Sequence, residues 1–257
     1  MAIVTGGATG IGLAAANALA RDGAMVVLFG PEPDALHRAV RDLNADGLQS
    51  YSVAGDVSDS DSVRALVEET RLKFGRLDFI VNSAAIQPYG TVETSTEEEW
   101  DRVLAVNLKG VYLTAHFGIP LMRKSGGGAI VNVASVQGLA CQENVAAYVA
   151  SKGAVIALTR AMALDHAKDA IRVNSVCPGT IDTPMLRESA EANKGNGTQD
   201  DLIRKWGREH PIGRVGKAEE VGALIAFLCS PAAGFCTGAE YKIDGGLLAK
   251  IAVVDES

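Results

Sequence analysis

Short β-branched runs alternate with longer amphipathic stretches along the whole chain, and this alternation constrains the fold more than any other feature. AIVT (2–5) precedes GLAAANALARDG, MVVLF (25–29) precedes PDALHRAVRDLNADG, and YSVAGD (51–56) precedes SDSVRALVEETRLKFG. LDFIVN (77–82), AIVNVAS (129–135), IRVNSV (171–176) and EYKID (240–244) continue the pattern, with helical spacing of apolar residues between them. Strand and helix in strict succession predict a mostly parallel sheet of about seven strands covered by helices on both faces, a doubly wound α/β fold. No Pro- or Ser-rich linker divides the chain, so residues 1–257 are read as one domain. The polar stretch RESAEANKGNGTQDD (187–201) lacks a periodic core signal and is expected to be an exposed loop within a lid spanning 183–210.

Composition supplies exclusions. With 257 residues, 47% of them hydrophobic, the chain can bury a large core. A net charge of -7 leaves no basic stripe for phosphate neutralisation, so no nucleic-acid partner is expected. The N-terminus has no secretory pattern, and the longest apolar run, VGALIAFLC, is too short to span a bilayer, so the expectation is a cytoplasmic protein with no membrane partner. Cys141, Cys177, Cys229 and Cys236 form no C-x-x-C pair and have no histidines at ligand spacing; they read as buried structural thiols, with no metal site. The first strand begins almost at Met1, which predicts a poorly tied sheet end and leaves a longer natural N-terminus open.

Chemistry enters at the first strand-to-helix turn, Thr5-Gly6-Gly7-Ala8-Thr9-Gly10-Ile11-Gly12. Glycines there let the backbone approach a pyrophosphate, and the helix start behind them offers free N–H groups and the positive end of its dipole. Asp56-Val57, Asn82-Ser83-Ala84-Ala85 and Ser135 follow the third, fourth and fifth strands, at the carboxyl ends where ligands bind in open α/β sheets. Tyr148 and Lys152, in YVASK, stand four apart at the head of a helix and so share one face.

Taken in order, T-G-x-x-x-G-x-G, the Asn82 turn, Asn107, Ser135 thirteen residues before Y-x-x-x-K, Pro178-Gly179 and Asp244-Gly245-Gly246 resemble the short-chain dehydrogenase/reductase family across the whole chain. The resemblance implies a Rossmann-type domain and an NAD(P)-dependent oxidoreductase that interconverts a secondary alcohol and a carbonyl. One departure is the alanine at Ala85, where the family usually has glycine; tolerance is expected. Sugar-nucleotide epimerases share Y-x-x-x-K but carry T-G-x-x-G-x-x-G and a longer C-terminal domain. A non-catalytic scaffold would typically lack one of the four positions Asn107, Ser135, Tyr148 and Lys152. A free phenol is a poor base at neutral pH, so Lys152, with the positive nicotinamide, is expected to favour the Tyr148 phenolate and make it general base, or general acid in reduction. Ser135 would hold the substrate oxygen. By resemblance, Asn107 kinks a helix and holds a water that relays protons from Lys152.

The resemblance also assigns the cofactor site. Gly6, Thr9, Gly10, Ile11 and Gly12 go to the pyrophosphate, Asp56 and Val57 to the adenine, Asn82 and Ala84 to the adenine ribose and its surroundings, and Tyr148 and Lys152 to the nicotinamide ribose. Pro178, Gly179, Ile181 and Thr183 would border the nicotinamide. At the end of the second strand, where an acidic residue normally holds the ribose of NAD, stands Gly30, while Thr9 and Pro31 fill the places of the cations that NADP enzymes use. With no cation at either place and with Glu32 and Asp34 adding negative charge close by, a preference for NAD over NADP is expected, Glu32 taking over the ribose contact. Gln87, Tyr89, Gln137, Gln142 and Asn144 flank the reactive centre with unusual polarity, and Met185, Leu186 and Trp206 would wall it. Amides suit a hydroxyl-rich substrate, so a sugar or polyol leads, with a ketone or 3-oxoacyl reductase as the alternative. His37, His116, His166 and His210 match none of these positions and read as structural or solvated. The apolar helices around 108–124 and 148–165 match the family's two-fold pairing surfaces and imply a homotetramer or homodimer.

Overall fold

The computed structural model describes residues 1–250. Its elements run β1 (Ala2–Thr5), α1 (Gly10–Arg21), β2 (Val26–Gly30), α2 (Pro33–Ala45), β3 (Ser50–Ala54), α3 (Ser60–Phe74) and β4 (Phe79–Asn82). Next come α4 (Glu97–Leu104), a π-helical turn (Ala105–Lys109), α5 (Gly110–Lys124), β5 (Gly128–Val133), α6 (Ala146–His166) and β6 (Ile171–Pro178). The chain then forms β7 (Ile181–Asp182), α7 (Pro184–Asn193), α8 (Gln199–Glu209), β8 (Gly216–Lys217), α9 (Ala218–Cys229) and β9 (Glu240–Ile243). Seven parallel strands form the main sheet in the order β3-β2-β1-β4-β5-β6-β9, and β7 pairs with β8 beside it. The winding reverses between β1 and β4, so a crevice opens at their carboxyl ends, where Thr5 lies level with Asn82.

Both faces of the sheet are covered, which is why β1 and β2 are buried along their full length. One face packs Ile3, Phe29, Ile80 and Ile130 against α3, α5 and α6. The other packs Val4, Leu28, Val81 and Val131 against α1, α2 and α9. Through the first core runs a satisfied polar ladder. Asn82 Nδ2 donates to Asn132 Oδ1 at 2.8 Å, Thr114 Oγ1 donates to Asn82 Oδ1 at 2.7 Å, and Asn132 Nδ2 donates to Thr159 Oγ1 at 2.8 Å. In a low-dielectric interior such a ladder fixes how α5 and α6 sit on β4 and β5, because any slip would strand a buried polar group.

Four expectations need correction. The polar stretch 187–201 is mostly helical: Thr183 caps α7 with Pro184 in its first turn, and Thr198 caps α8, so only the short link around Gly195–Gly197 is a loop. The sheet end at Met1 is tied, because its ammonium bonds Asp78 at 2.9 Å and its carbonyl accepts from the Asp78 and Phe79 N–H groups. Cys177 and Cys229 are buried, but Cys236 is half-buried and Cys141 exposed. Finally, α6 is long and apolar enough to span a bilayer by length and composition alone. Half of that stretch is buried against the sheet, with Ser151 and Lys152 inside, so its apolarity reflects a core helix.

Candidate active site

A cavity of about 720 Å³ opens at the carboxyl ends of the strands, at the reversal point. Its dinucleotide end begins with the glycine turn. Gly6 and Gly10 sit in the left-handed region, at φ 61° and 52°, and a Cβ on Gly6 would lie 3.0 Å from the Ala84 backbone. The first turn of α1 has no acidic residue and Thr9 makes no side-chain cap, so its N–H groups are free for an anion. Thr5 Oγ1 accepts from the N–H groups of Ser83 and Ala84 at 3.1 and 3.3 Å, clamping the β4 loop beside this turn. Gly6, Thr9, Gly10, Ile11 and Ala84 line the cavity. Gly12 does not: a Cβ there would come 2.1 Å from the Gly6 carbonyl, so its glycine serves helix packing. Asn82 does not either, because strand alternation turns its side chain into the buried ladder.

Asp56 and Val57 also line the cavity. The Asp56 carboxylate accepts from Ser58 N and Oγ at 2.8 and 2.7 Å and from Arg102 at 3.0 Å. Burial pushes its pKa up, but these donors outweigh it and the carboxyl stays below its ordinary value. Arg102 also lines the cavity, a residue no motif marked. Gly30 and Pro31 line the wall, and a Cβ at Gly30 would meet nothing within 4 Å. Glu32 is the exposed N-cap residue of α2 and lies outside the lining, so it does not stand in for the missing acid.

Ser135, Tyr148 and Lys152 meet on the cavity floor. A Cβ on Gly138 would sit 2.9 Å from the Lys152 carbonyl, so this glycine lets the turn after β5 press against α6 and brings Ser135 to the phenol. Burial pushes the Tyr148 phenol up to about 12, while its hydrogen bond with Ser135 pulls the other way. Lys152 Nζ donates to the Val133 carbonyl at 2.8 Å and lies 5.4 Å from the Tyr148 ring centre; burial lowers it to about 8. In the protein alone, desolvation dominates both groups. Asn107 stands behind this floor rather than on it. In the π-helical turn its Oδ1 accepts from Ile86 N at 2.9 Å, and its Nδ2 donates to Ile86 O at 3.0 Å and Ser151 Oγ at 3.1 Å.

Pro178, Gly179, Ile181 and Thr183 line the next stretch of wall, and Gln87, Gln137, Met185 and Trp206 the outer part, with Tyr89, Gln142 and Leu186. Gln137 Nε2 donates to Gln142 Oε1 at 3.0 Å, while Gln137 Oε1 is buried with no partner. Asn144 is corrected: it is exposed, in the left-handed region at φ 60°, and its carbonyl accepts from Gly90 N at 2.7 Å outside the lining. Two residues read otherwise from sequence belong to the wall, the exposed Cys141 and His210, which is only 3% exposed. Neither stands in a spacing that would have signalled it.

A family profile described as enoyl-(acyl carrier protein) reductase matches residues 6–248. Cyclohexanol dehydrogenase from Acinetobacter sp. (strain SE19) is 38% identical over 253 residues, covering 97% of this chain and 95% of the relative. L-sorbose reductase from Gluconobacter frateurii, solved with NADPH and L-sorbose, superposes with a TM-score of 0.93 at 35% identity, covering 97% of each chain. Ligand-free aldohexose dehydrogenase from Thermoplasma acidophilum superposes with a TM-score of 0.89 at 37% identity, covering 100% of this chain and 96% of the other.

Proposed function

The chain belongs to the short-chain dehydrogenase/reductase family and is an NAD(P)-dependent oxidoreductase of alcohols, and we propose that its substrate is the secondary hydroxyl of a sugar or polyol, with NAD as the preferred cofactor. What carries the substrate reading is the amide wall beside Ser135: Gln87, Gln137 and Gln142 line the cavity there, and amides suit a ligand with several hydroxyls. The relatives that act on sorbose and aldohexoses support the same class.

The glycine turn, the free start of α1 and the open wall at Gly30 fit a dinucleotide, which would supply the hydride acceptor. Ser135 holds the substrate oxygen, and Tyr148 takes the hydroxyl proton in oxidation or returns it in reduction. With a phenol near 12, the protonated form is ready to act as acid; oxidation requires added positive charge at the site to bring it down. Lys152, hydrogen-bonded to Val133 O, anchors that end of the site, and Asn107 positions β4, the π-helical turn and α6 relative to one another.

The NAD preference rests on charge. Among the described residues the basic groups lining the cavity are Arg102, bonded to Asp56 and Ser58, the buried Lys152, and His210, so none of these lining groups offers a free cation at the Gly30 wall for a 2′-phosphate. A cytoplasmic homotetramer or homodimer, with 183–210 as a lid, completes the proposal; monomer at micromolar concentration in light scattering would refute the assembly. The test of function follows absorbance at 340 nm, with NAD or NADP against sugars, polyols and plain cyclic alcohols, and with NADH or NADPH against 3-oxoacyl thioesters. Turnover of sugars or polyols with NAD at higher kcat/KM is expected. Faster reduction of 3-oxoacyl thioesters would overturn it.

A further inference from the structure

His210 ends α8, between the lid and the β9 end of the sheet, and its ring is held on two sides. Nδ1 lies 2.7 Å from the Asp244 carbonyl oxygen, which can only accept, so Nδ1 carries a hydrogen. On the other side a Cβ placed on Gly179 would come 2.7 Å from His210 Cε1, so the ring edge rests directly on the Gly179 backbone. A neutral imidazole protonated at Nδ1 presents Nε2 as an acceptor. No described residue donates to Nε2, yet it is not sealed, because the fully buried unpartnered side-chain polar atom among the described residues is Gln137 Oε1. Since the residue is 3% exposed and lines the main cavity, the space Nε2 meets is the cavity.

We infer that His210 reads substrate: Nε2 accepts a hydrogen bond from a substrate hydroxyl other than the one oxidised, so a diol is distinguished from a plain alcohol by an acceptor that the enzyme cannot otherwise satisfy. This deepens the polyol reading and rests on it. The ring lies against Gly179, on the wall between the catalytic floor and the lid, so it is held by the body of the fold while α8 delivers it. Its rigidity matters, because an acceptor fixed by Asp244 and Gly179 loses little rotamer freedom when it binds.

The test crosses enzyme variants with substrates. Wild type, His210→Asn and His210→Gln are assayed on cyclohexanol and on cis-1,2-, 1,3- and 1,4-cyclohexanediol, with NADH binding followed by fluorescence. His210→Asn keeps an N–H for Asp244 but removes the cavity acceptor; His210→Gln can return an amide oxygen near the Nε2 position. His210→Asn should lower kcat/KM for the best diol about tenfold more than for cyclohexanol, a coupling of about 1.4 kcal/mol, with the dissociation constant of NADH unchanged. His210→Gln should regain part of the preference. Equal losses on diol and cyclohexanol, or a loss traced to weaker NADH binding, would overturn the inference. Should His210→Asn not yield folded protein, His210→Gln decides alone: a diol preference reduced but not abolished is expected, and equal losses on diol and cyclohexanol would overturn the inference. A wild-type enzyme with no preference for any diol instead sinks the polyol reading itself, before a variant is made.

Discussion

The floor of the cavity and its lid are held by different physics. Under the floor lie Asn82, Asn132, Thr114 and Thr159, all buried and all bonded to one another, with Asn107 pinning the Ile86 loop to α6. The lid helices α7 and α8 bury only Ala190, Ile203 and Gly207, and are decorated with pairs such as Lys194–Glu191 and Arg204–Asp201. Exposed pairs of this kind contribute about 0.2–1 kcal/mol at most, whereas breaking a buried network costs several times that. The cavity floor therefore rests on a part of the fold that yields little, and α7 and α8 on a part held more loosely.

The largest expected effect tests whether the floor acts chemically. Tyr148→Phe keeps the ring packing and removes the proton, so kcat should fall by about a thousandfold or more while NADH still binds; general acid–base catalysis by a placed side chain is typically worth 10²–10⁴. Near-normal kcat in a stopped-flow assay would sink the mechanism. Next comes Asn132→Ala, which strands Asn82 Nδ2 in the core and leaves Thr159 Oγ1 with only its bond to the Val155 carbonyl. A loss of about 2–4 kcal/mol in urea unfolding is expected, and a loss under 1 kcal/mol would mean that the ladder is not what distinguishes floor from lid.

The floor was largely legible in the sequence because its signals are spacings. Tyr148 and Lys152 share a helix face by arithmetic, the glycine turn is forced by backbone sterics, and strand ends locate Ser135 and Asp56. What spacing does not tell is which way a side chain points behind the ligand. Asn82 and Gly12 sit at family positions yet turn away from the cavity, Asn107 stands behind its floor bonded to Ile86 and Ser151, and Asn144 sits near the site yet is exposed. The lid was misread at 187–201 because its helices, weakly buried, carry little apolar periodicity; the usable signals were the caps Thr183 and Thr198, with Pro184 behind the first. His210 and Arg102 reach the cavity through tertiary packing, for which a single sequence holds no local mark.

A smaller effect sharpens the electrostatic side of the floor. Lys152 titrates near 8 in the folded chain against an ordinary 10.5, so between those values the unfolded chain binds more protons and stability rises with pH. The buried thiols Cys177 and Cys229, raised to about 11 and 12 from an ordinary 9.0, act in the opposite sense around and above pH 9, as does Tyr148 above 10. Between pH 8 and 9 Lys152 adds about 1 kcal/mol, the slope for one proton being about 1.4 kcal/mol per pH unit, while the two thiols already take back about 0.7 kcal/mol, so the protein alone should gain a few tenths of a kcal/mol. Denaturant midpoints across this window give the gain, and Lys152→Met should turn it into a loss while also weakening turnover and NADH binding. A wild-type midpoint that falls with pH there would mean that Lys152 is not desolvated as the fold places it.

The smallest effect belongs to the lid. Arg187 on α7 pairs with Asp182 at 2.8 Å and reaches toward Asp200 on α8 at 3.9 Å, tying both lid helices to β7. All three side chains are substantially exposed, so Arg187→Ala should change global stability by less than about 0.5 kcal/mol. Local opening is another matter, because few buried contacts hold these helices and the loss of one tie shifts a balance that was already close. Limited proteolysis at the 194–198 link should therefore speed up severalfold in Arg187→Ala, and NADH with substrate should restore protection. If the urea midpoint fell together with the protease resistance, lid and floor would be one cooperative unit and the contrast between them would fail. If neither moved, the lid would be held by Ala190 and Ile203 alone, and the exposed pairs would be ornament on a rigid wall.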